Sequence, residues 1–234
     1  RRTGLKPIIS TALPGDCDII DEDSSVQSRG VKHIRHCVDM AERLGAETVI
    51  GPLCAAPCIL KMVSPDDQKR QFDRSAKNLR EAGRYAADRG VRIAFEVMNR
   101  FECRLCNTAE SSLALLEAVD CEAVGLLLDT FHMNIEEKSP AEAIRKAGKR
   151  IYHFHAIEND RGRPGTGSVN WPSVMDALLA IQYPHWIVIE GFSHKEDWLR
   201  EVVRHWRPLD PDMDELAREG LIFLETLIRM RSLL

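Results

Sequence analysis

Four short apolar runs in this chain each end on a residue able to bind a metal ion or carry a proton. They are Arg92-Ile-Ala-Phe-Glu96, Val124-Gly-Leu-Leu-Leu-Asp129, Ile151-Tyr-His-Phe-His155 and Trp186-Ile-Val-Ile-Glu190. A run of this length that stops at a polar residue reads as a strand buried on both faces whose last side chain emerges at the rim of a sheet. In a parallel sheet every strand presents the same end to the same rim, so Glu96, Asp129, His155 and Glu190 are expected to converge. Three carboxylates crowded together repel one another and resist ionisation, and a divalent cation removes that cost.

Three oxygen donors and one imidazole favour a hard or borderline ion, Mn²⁺, Mg²⁺ or Co²⁺, whereas a structural zinc site would want thiolates. An ion that takes about six ligands keeps positions open beyond these four. A hydroxyl and the neighbouring carbonyl of a sugar are the right donors to fill them. Such chelation polarises the carbonyl and acidifies the adjacent C–H. Glu96 and Glu190, from well-separated strands, are placed to face one carbon from its two sides, one removing a proton and the other returning it from behind. The outcome is inversion of a stereocentre through an enediolate.

The elements that must hold these residues follow from spacing. The four chemical residues lie 33, 26 and 35 positions apart, close to the roughly 31 residues per strand-helix unit of an eight-unit α/β barrel. Two further strands read at Lys6–Ser10 and Glu47–Gly51. Helices are expected at about 26–44, from Ser64 to near Gly90, over 108–119, after Ser139-Pro-Ala-Glu142 (a capping box), over 171–181, and over roughly 212–234. The inward stripes are Val31, Ile34, Val38 and Ala41; Phe72, Ala76, Leu79, Gly83 and Ala86; Leu113, Leu116 and Val119; Val174, Leu178 and Ile181; and Leu216, Gly220, Phe223 and Leu227. Trp171 and Trp198 are expected to anchor helices. The fold class is α/β, a (β/α)8 TIM barrel with about six parallel strands present. The first two strand-helix units, of order 60 residues, are expected to be missing from the front.

Composition agrees with a globular protein of one domain, residues 1–234. The chain has 44% hydrophobic and 29% charged residues and a formal net charge of -4. An acidic balance gives no reason to expect nucleic acid, and no apolar run reaches the roughly 18 residues that would predict a membrane span. Seven cysteines, an odd number mostly within or beside apolar segments, read as reduced thiols of a cytoplasmic protein. Cys103-Arg-Leu-Cys106 lacks a second pair for zinc and reads as buried thiols. His153, two residues before His155, shares its face of the strand and reads as a core histidine. His33, His36, His185, His194 and His205 read as surface or packing residues.

Together, Glu96-Val-Met-Asn-Arg-Phe-Glu102, Leu128-Asp-Thr-Phe-His-Met-Asn-Ile-Glu-Glu137, His153-Phe-His155 with Arg161, and Glu190-Gly-Phe192 resemble the ketose 3-epimerases of the xylose-isomerase-like barrel superfamily. The resemblance covers nearly the whole chain from Gly4 onward. It implies an isomerase that epimerises free ketohexoses at C3 (D-tagatose with D-sorbose, D-fructose with D-psicose) through a cis-enediolate, with one divalent ion, Mn²⁺ ahead of Mg²⁺ or Co²⁺. By position Glu96, Asp129, His155 and Glu190 match the metal ligands, and Glu96 and Glu190 the acid/base pair. Glu102, His132 and Arg161 match residues that hold sugar oxygens. A homodimer or homotetramer is implied as well.

The rivals on the same fold are an aldose-ketose or hydroxypyruvate-type isomerase, and a fragment that keeps the ion but not catalysis. A metal-dependent phosphodiesterase acting on DNA would call for more histidines and a basic groove, which the acidic balance disfavours.

Overall fold

The computed structural model describes residues 4–209 and 212–232. Among them, a six-stranded sheet runs in the order of the chain: β1 (Ile9–Ser10), β2 (Thr48–Gly51), β3 (Arg92–Glu96), β4 (Val124–Asp129), β5 (Ile151–His155) and β6 (Ile187–Val188). Strand β1 pairs with β2, β2 with β3, β3 with β4 and β5 with β6, each in parallel. Helices follow each strand, as a parallel connection requires. Six strands in sequence order with intervening helices make this an α/β fold of the TIM-barrel type.

The chain divides into two compact units, Arg1–Leu127 with Lys149–His153, and Leu128–Gly148 with Phe154–Leu234. In the first unit, α1 (Ser24–Leu44) starts two residues before the expected position because Asp23 caps it, accepting from the Ser25 N–H at 2.7 Å. Gly45 ends it in the left-handed region at φ 71°, where a side chain would be strained. Ser64 caps α2 (Pro65–Ala87) as expected. The stripe of α2 is buried except at Phe72, which is half-buried.

Thr108 and Ser111 form a reciprocal capping box at the start of α3 (Ala109–Val119), and Leu115 takes the core position expected of Leu113. Helix α1 packs on α2 and α2 on α3. At the centre of the sheet Ile50, Ala94 and Leu127 form a buried cluster covered by Ile8 and Tyr152. Gly125 permits the Tyr152 ring to lie there, since a Cβ at that position would sit 2.3 Å from it.

The second unit departs further from expectation. Helix α4 (Thr130–Glu136) begins directly on the last residue of β4, where no helix was expected. Ser139 caps α5 (Pro140–Ala147), but the capping box is not closed, because Glu142 turns to Arg145 on the next turn. Helix α6 (Trp171–Ala180) buries Trp171, Val174 and Leu178, while Ile181 is half-buried. Strand β6 is two half-buried residues rather than five. It is followed by an unexpected short helix, α7 (Asp197–Val203). Trp198, on α7, is 66% exposed rather than buried as a helix anchor would be. Helix α8 (Met213–Ser232) buries Leu216, Gly220 and Leu224 and packs on α6. The last two residues of the expected helix lie outside the described residues. No described helix is long and apolar enough to cross a membrane.

Candidate metal centre

Asp129 is the best-fixed of the four chemical residues. It closes β4, has 0% exposure, and its Oδ1 accepts from the Phe131 N–H at 2.7 Å, so the same carboxylate caps α4. The next residue, Thr130, ties this corner to the strand that carries His155. Its hydroxyl accepts from the Ile157 N–H at 2.9 Å and donates back to the Ile157 carbonyl. His155 directs Nδ1 at two carboxylates, 3.2 Å from Glu190 Oε1 and 3.6 Å from Asp129 Oδ2.

Arg161 completes this side of the site. Its Nη1 lies 3.2 Å from Asp129 Oδ2 and donates to Glu190 Oε2, and its Nη2 lies 3.4 Å from His132 Nε2. The guanidinium stacks on the Phe131 ring at 3.9 Å and lies 5.0 Å from the Phe192 centroid. Arg161 has a φ of 70°, a strained conformation for a residue with a side chain. The surrounding loop holds it there. Glu158, fully buried, accepts from Arg161 and donates to Gly162 through its own backbone. Its carboxylate takes the N–H groups of Asn159, Gly165, Val169 and the Trp171 indole, at 2.5 to 3.3 Å. Gly165, at φ 90°, and Gly167 sit so close to Phe223 and to Glu158 respectively that neither position has room for a Cβ.

In the first unit Glu96 ends β3 at 6% exposure, and the following Val97 N–H continues the ladder to the Leu127 carbonyl at 3.0 Å. Glu102, half-buried on the loop after β3, accepts from Asn99 at 3.0 Å. The ligand atoms of Glu96, Asp129, His155 and Glu190 all lie within 4.8 Å of one another. All four residues read from strand ends are therefore brought together, and His132 and Arg161 stand beside Asp129.

The donor set fits a divalent cation. Burial alone would push the Asp129 carboxyl up. Hydrogen bonding to His155 and the positive charges of Arg161, His132 and His155 outweigh it and hold the group well below the usual carboxylate range. A deeply buried carboxylate kept ionised beside a second one and an imidazole is a donor set for a hard or borderline ion. His153 is buried at 1% exposure, as expected of a core histidine, and His205, read as a surface or packing residue, is buried against Phe192.

Three contributors were not legible as such: Glu158, Thr130 and the aromatic pair Phe131 and Phe192. The available signal for Glu158 was an acid followed by a stretch rich in glycine, since such a loop has many free N–H groups in need of an acceptor.

A profile of the xylose isomerase-like TIM barrel family matches residues 1–209. A probable ketose 3-epimerase of Synechocystis sp. is 32% identical over 222 residues, 94% of this chain and 76% of that protein. An L-ribulose 3-epimerase of Mesorhizobium japonicum is 37% identical over 223 residues, 94% of this chain and 74% of the relative. Among solved structures, one of L-ribulose 3-epimerase superposes with a TM-score of 0.91 at 36% identity, covering 98% of this chain and 78% of the other. The D-psicose 3-epimerase of Clostridium cellulolyticum H10, solved with D-tagatose, gives 0.90 at 29% identity over 96% of this chain and 79% of its own. The chain therefore belongs to the xylose isomerase-like TIM barrel family and, within it, to the ketose 3-epimerases, which are isomerases of carbohydrates.

Proposed function

We propose that this chain inverts C3 of free ketoses with a divalent metal ion held by Glu96, Asp129, His155 and Glu190. The observation that carries the reading is the gathering of these ligand atoms within 4.8 Å of one another in a chain of this family. When bound, the ion supplies Lewis-acid chemistry, polarising the ketose carbonyl and acidifying the C–H next to it. Mn²⁺ is the ion we assign first, with Mg²⁺ and Co²⁺ as alternatives of similar hardness.

The remaining work falls to side chains. One of Glu96 and Glu190 takes the C3 proton, and the other, from the opposite face, delivers a proton to the same carbon, so the configuration inverts. Glu190 is suited to a moving proton because its side chain is 20% exposed and lies against two charge partners, His155 and Arg161. Arg161 already donates from Nη1 to two carboxylates, and its guanidinium N–H groups fit the oxygens of a ketose beside them. His132 and Glu102 are assigned to sugar oxygens with it. In this reading the 234 residues act as a single domain. We further assign a cytoplasmic homo-oligomer, a dimer or tetramer, which light scattering would check against a monomer.

The test is incubation of the purified protein with Mn²⁺ and D-fructose, D-psicose, D-tagatose or L-ribulose in D₂O. The expected result is the C3 epimer with deuterium at C3. Glucose or mannose from fructose, with no psicose, would replace this reading with an aldose-ketose isomerase. Uptake of the ion by calorimetry with no heat on adding any ketose would reduce the chain to a metal-binding fragment.

A further inference from the structure

Asp18, which follows the short turn Gly15–Cys17, is an acid outside the metal centre and is buried at 1% exposure. A carboxylate in that position must be paired and hydrogen-bonded, and this one has three partners. Its Oδ1 accepts from the Ala56 N–H at 3.0 Å and from the Ile20 N–H at 3.3 Å. Its Oδ2 accepts from Arg104 Nη2 at 2.7 Å. Arg104 Nη1 in turn donates to the Ile59 carbonyl at 2.6 Å. One ion pair thus joins the loops that follow β1, β2 and β3, all within the first unit.

The joint stands where apolar packing thins out. Residues 53–56 of the loop after β2 are buried, but residues 58–62 are exposed. A cavity of about 300 Å³ lies beside that segment, lined by Leu60 and Met62 from it and by Arg100 and Asn107 from the loop after β3. Hydrogen bonds cross between the two loops at two points, one from Arg104 to Ile59 and one from the Cys58 N–H to the Glu102 carbonyl at 2.8 Å. Cys58 holds a left-handed φ of 61°, strained for a residue with a side chain, and in that conformation its N–H meets Glu102. Asn99 holds Glu102 as well. Its carbonyl accepts from the Glu102 N–H at 3.0 Å, and its Nδ2 donates to the Glu102 carboxylate at 3.0 Å. Cys103, Leu105 and Cys106 are buried on either side of Arg104, so its side chain leaves a packed segment at a fixed point. Helix α2 anchors the other two loops, since buried Ser75 donates to the Cys54 carbonyl and buried Asn78 to the Ile19 carbonyl, each at 2.7 Å.

A buried ion pair is a poor source of stability, because an apolar pair of the same shape often serves as well. What it supplies is direction, since a planar guanidinium meets a carboxylate and a carbonyl in one geometry. We propose that Asp18 and Arg104 are positioning residues that hold the loops after β2 and β3 together and so set where Glu102 stands. The inference rests on the reading of Glu102 as a residue that holds a sugar oxygen. Asp18 and Arg104 act on the ketose through Glu102, two residues before Arg104 in the chain, and have no part in holding the ion. Loss of either charge therefore weakens the grip on the sugar and spares the metal.

The test is a double-mutant cycle on the full chain with Mn²⁺. Arg104→Met keeps a long side chain and removes the charge. KM for the ketose is expected to rise about tenfold, with kcat changed less than about threefold and Mn²⁺ affinity, read by calorimetry, within about twofold of the unmutated chain. Placed on top of Glu102→Gln, Arg104→Met is expected to raise KM no further, because residues that act through one group are not additive. Arg104→Lys, which restores a charge for Asp18, is expected to recover part of the loss. A full tenfold added to Glu102→Gln, an unchanged KM, or an equal fall in Mn²⁺ affinity would each overturn the proposal. Should Arg104→Met fail to fold, Asp18→Asn, which keeps an acceptor for the Ala56 N–H, enters the same cycle. If the unmutated chain turns over no ketose, the function proposed above falls, and the joint is judged by hydrogen exchange instead. The Cys58 amide of Asp18→Asn is then expected to exchange at least about tenfold faster, with the α3 amides unchanged, and an unaltered Cys58 amide would overturn the joint itself.

Discussion

Two carboxylates of the second unit reach the same imidazole by opposite means. Asp129 ends a six-residue strand buried at every position and caps the helix that follows, so the backbone on both sides fixes it. Glu190 lies beyond a strand of two half-buried residues, with His155 Nδ1 at 3.2 Å and Arg161 Nη1 donating to it. One carboxylate is positioned by packing and the other by charge. A ligand that must not move belongs in the first class. A group that must both bind and pass a proton belongs in the second, because its partners can be exchanged without disturbing a strand.

That contrast can be broken most sharply at Asp129. Asp129→Asn keeps a good helix cap but removes the fixed charge. Affinity for Mn²⁺, read by calorimetry, is expected to fall by about 10²-fold or more, with epimerisation lost and the melting temperature little changed. Intact ion binding in this variant would end the assignment of Asp129 as the fixed ligand. Glu190→Gln is expected to lower turnover by about 10²- to 10⁴-fold while ion affinity drops less than in Asp129→Asn. If the two variants weaken ion binding equally, or if Glu190→Gln turns over normally, the division of labour between the carboxylates fails.

The packing half of the contrast is read by stability. Leu128→Ala, one residue before Asp129 and fully buried, is expected to cost about 2–5 kcal/mol in urea unfolding. Ile187→Ala, in half-buried β6, is expected to cost under about 2 kcal/mol, as suits a side chain that buries less area. Equal losses would mean that β6 is as well packed as β4. The smallest effect is expected from Arg161→Lys, which keeps the charge and removes the fork. We expect KM for the ketose to rise about tenfold with kcat less affected, and an unchanged KM would place the sugar elsewhere.

The strand ends were legible because each signal is local: a run of apolar residues, a charge, and a spacing that repeats. Helix α4 was not, because Thr130-Phe-His-Met-Asn-Ile-Glu has no separate start signal. Its cap is the strand's own last residue, already read as a ligand. Strand β6 was read too long because Trp186 to Glu190 has the composition of a buried strand. Trp186 is in fact 56% exposed, and only Ile187 and Val188 pair with β5. Leu113 and Leu115 fit a helical stripe almost equally well, and only the packing of α2 on α3 chose the second.

By itself the sequence determined which residue types stand at the ends of successive strands, and with them the donor set, since the alternation of a strand and the polarity of its ends follow from neighbours in the chain. Tertiary structure alone decided that Arg161, in a left-handed conformation held by a buried Glu158, would reach Asp129 and Glu190. That depends on which distant groups come within a few ångströms, and it is set by how loops fold over packed elements, a choice no local pattern encodes.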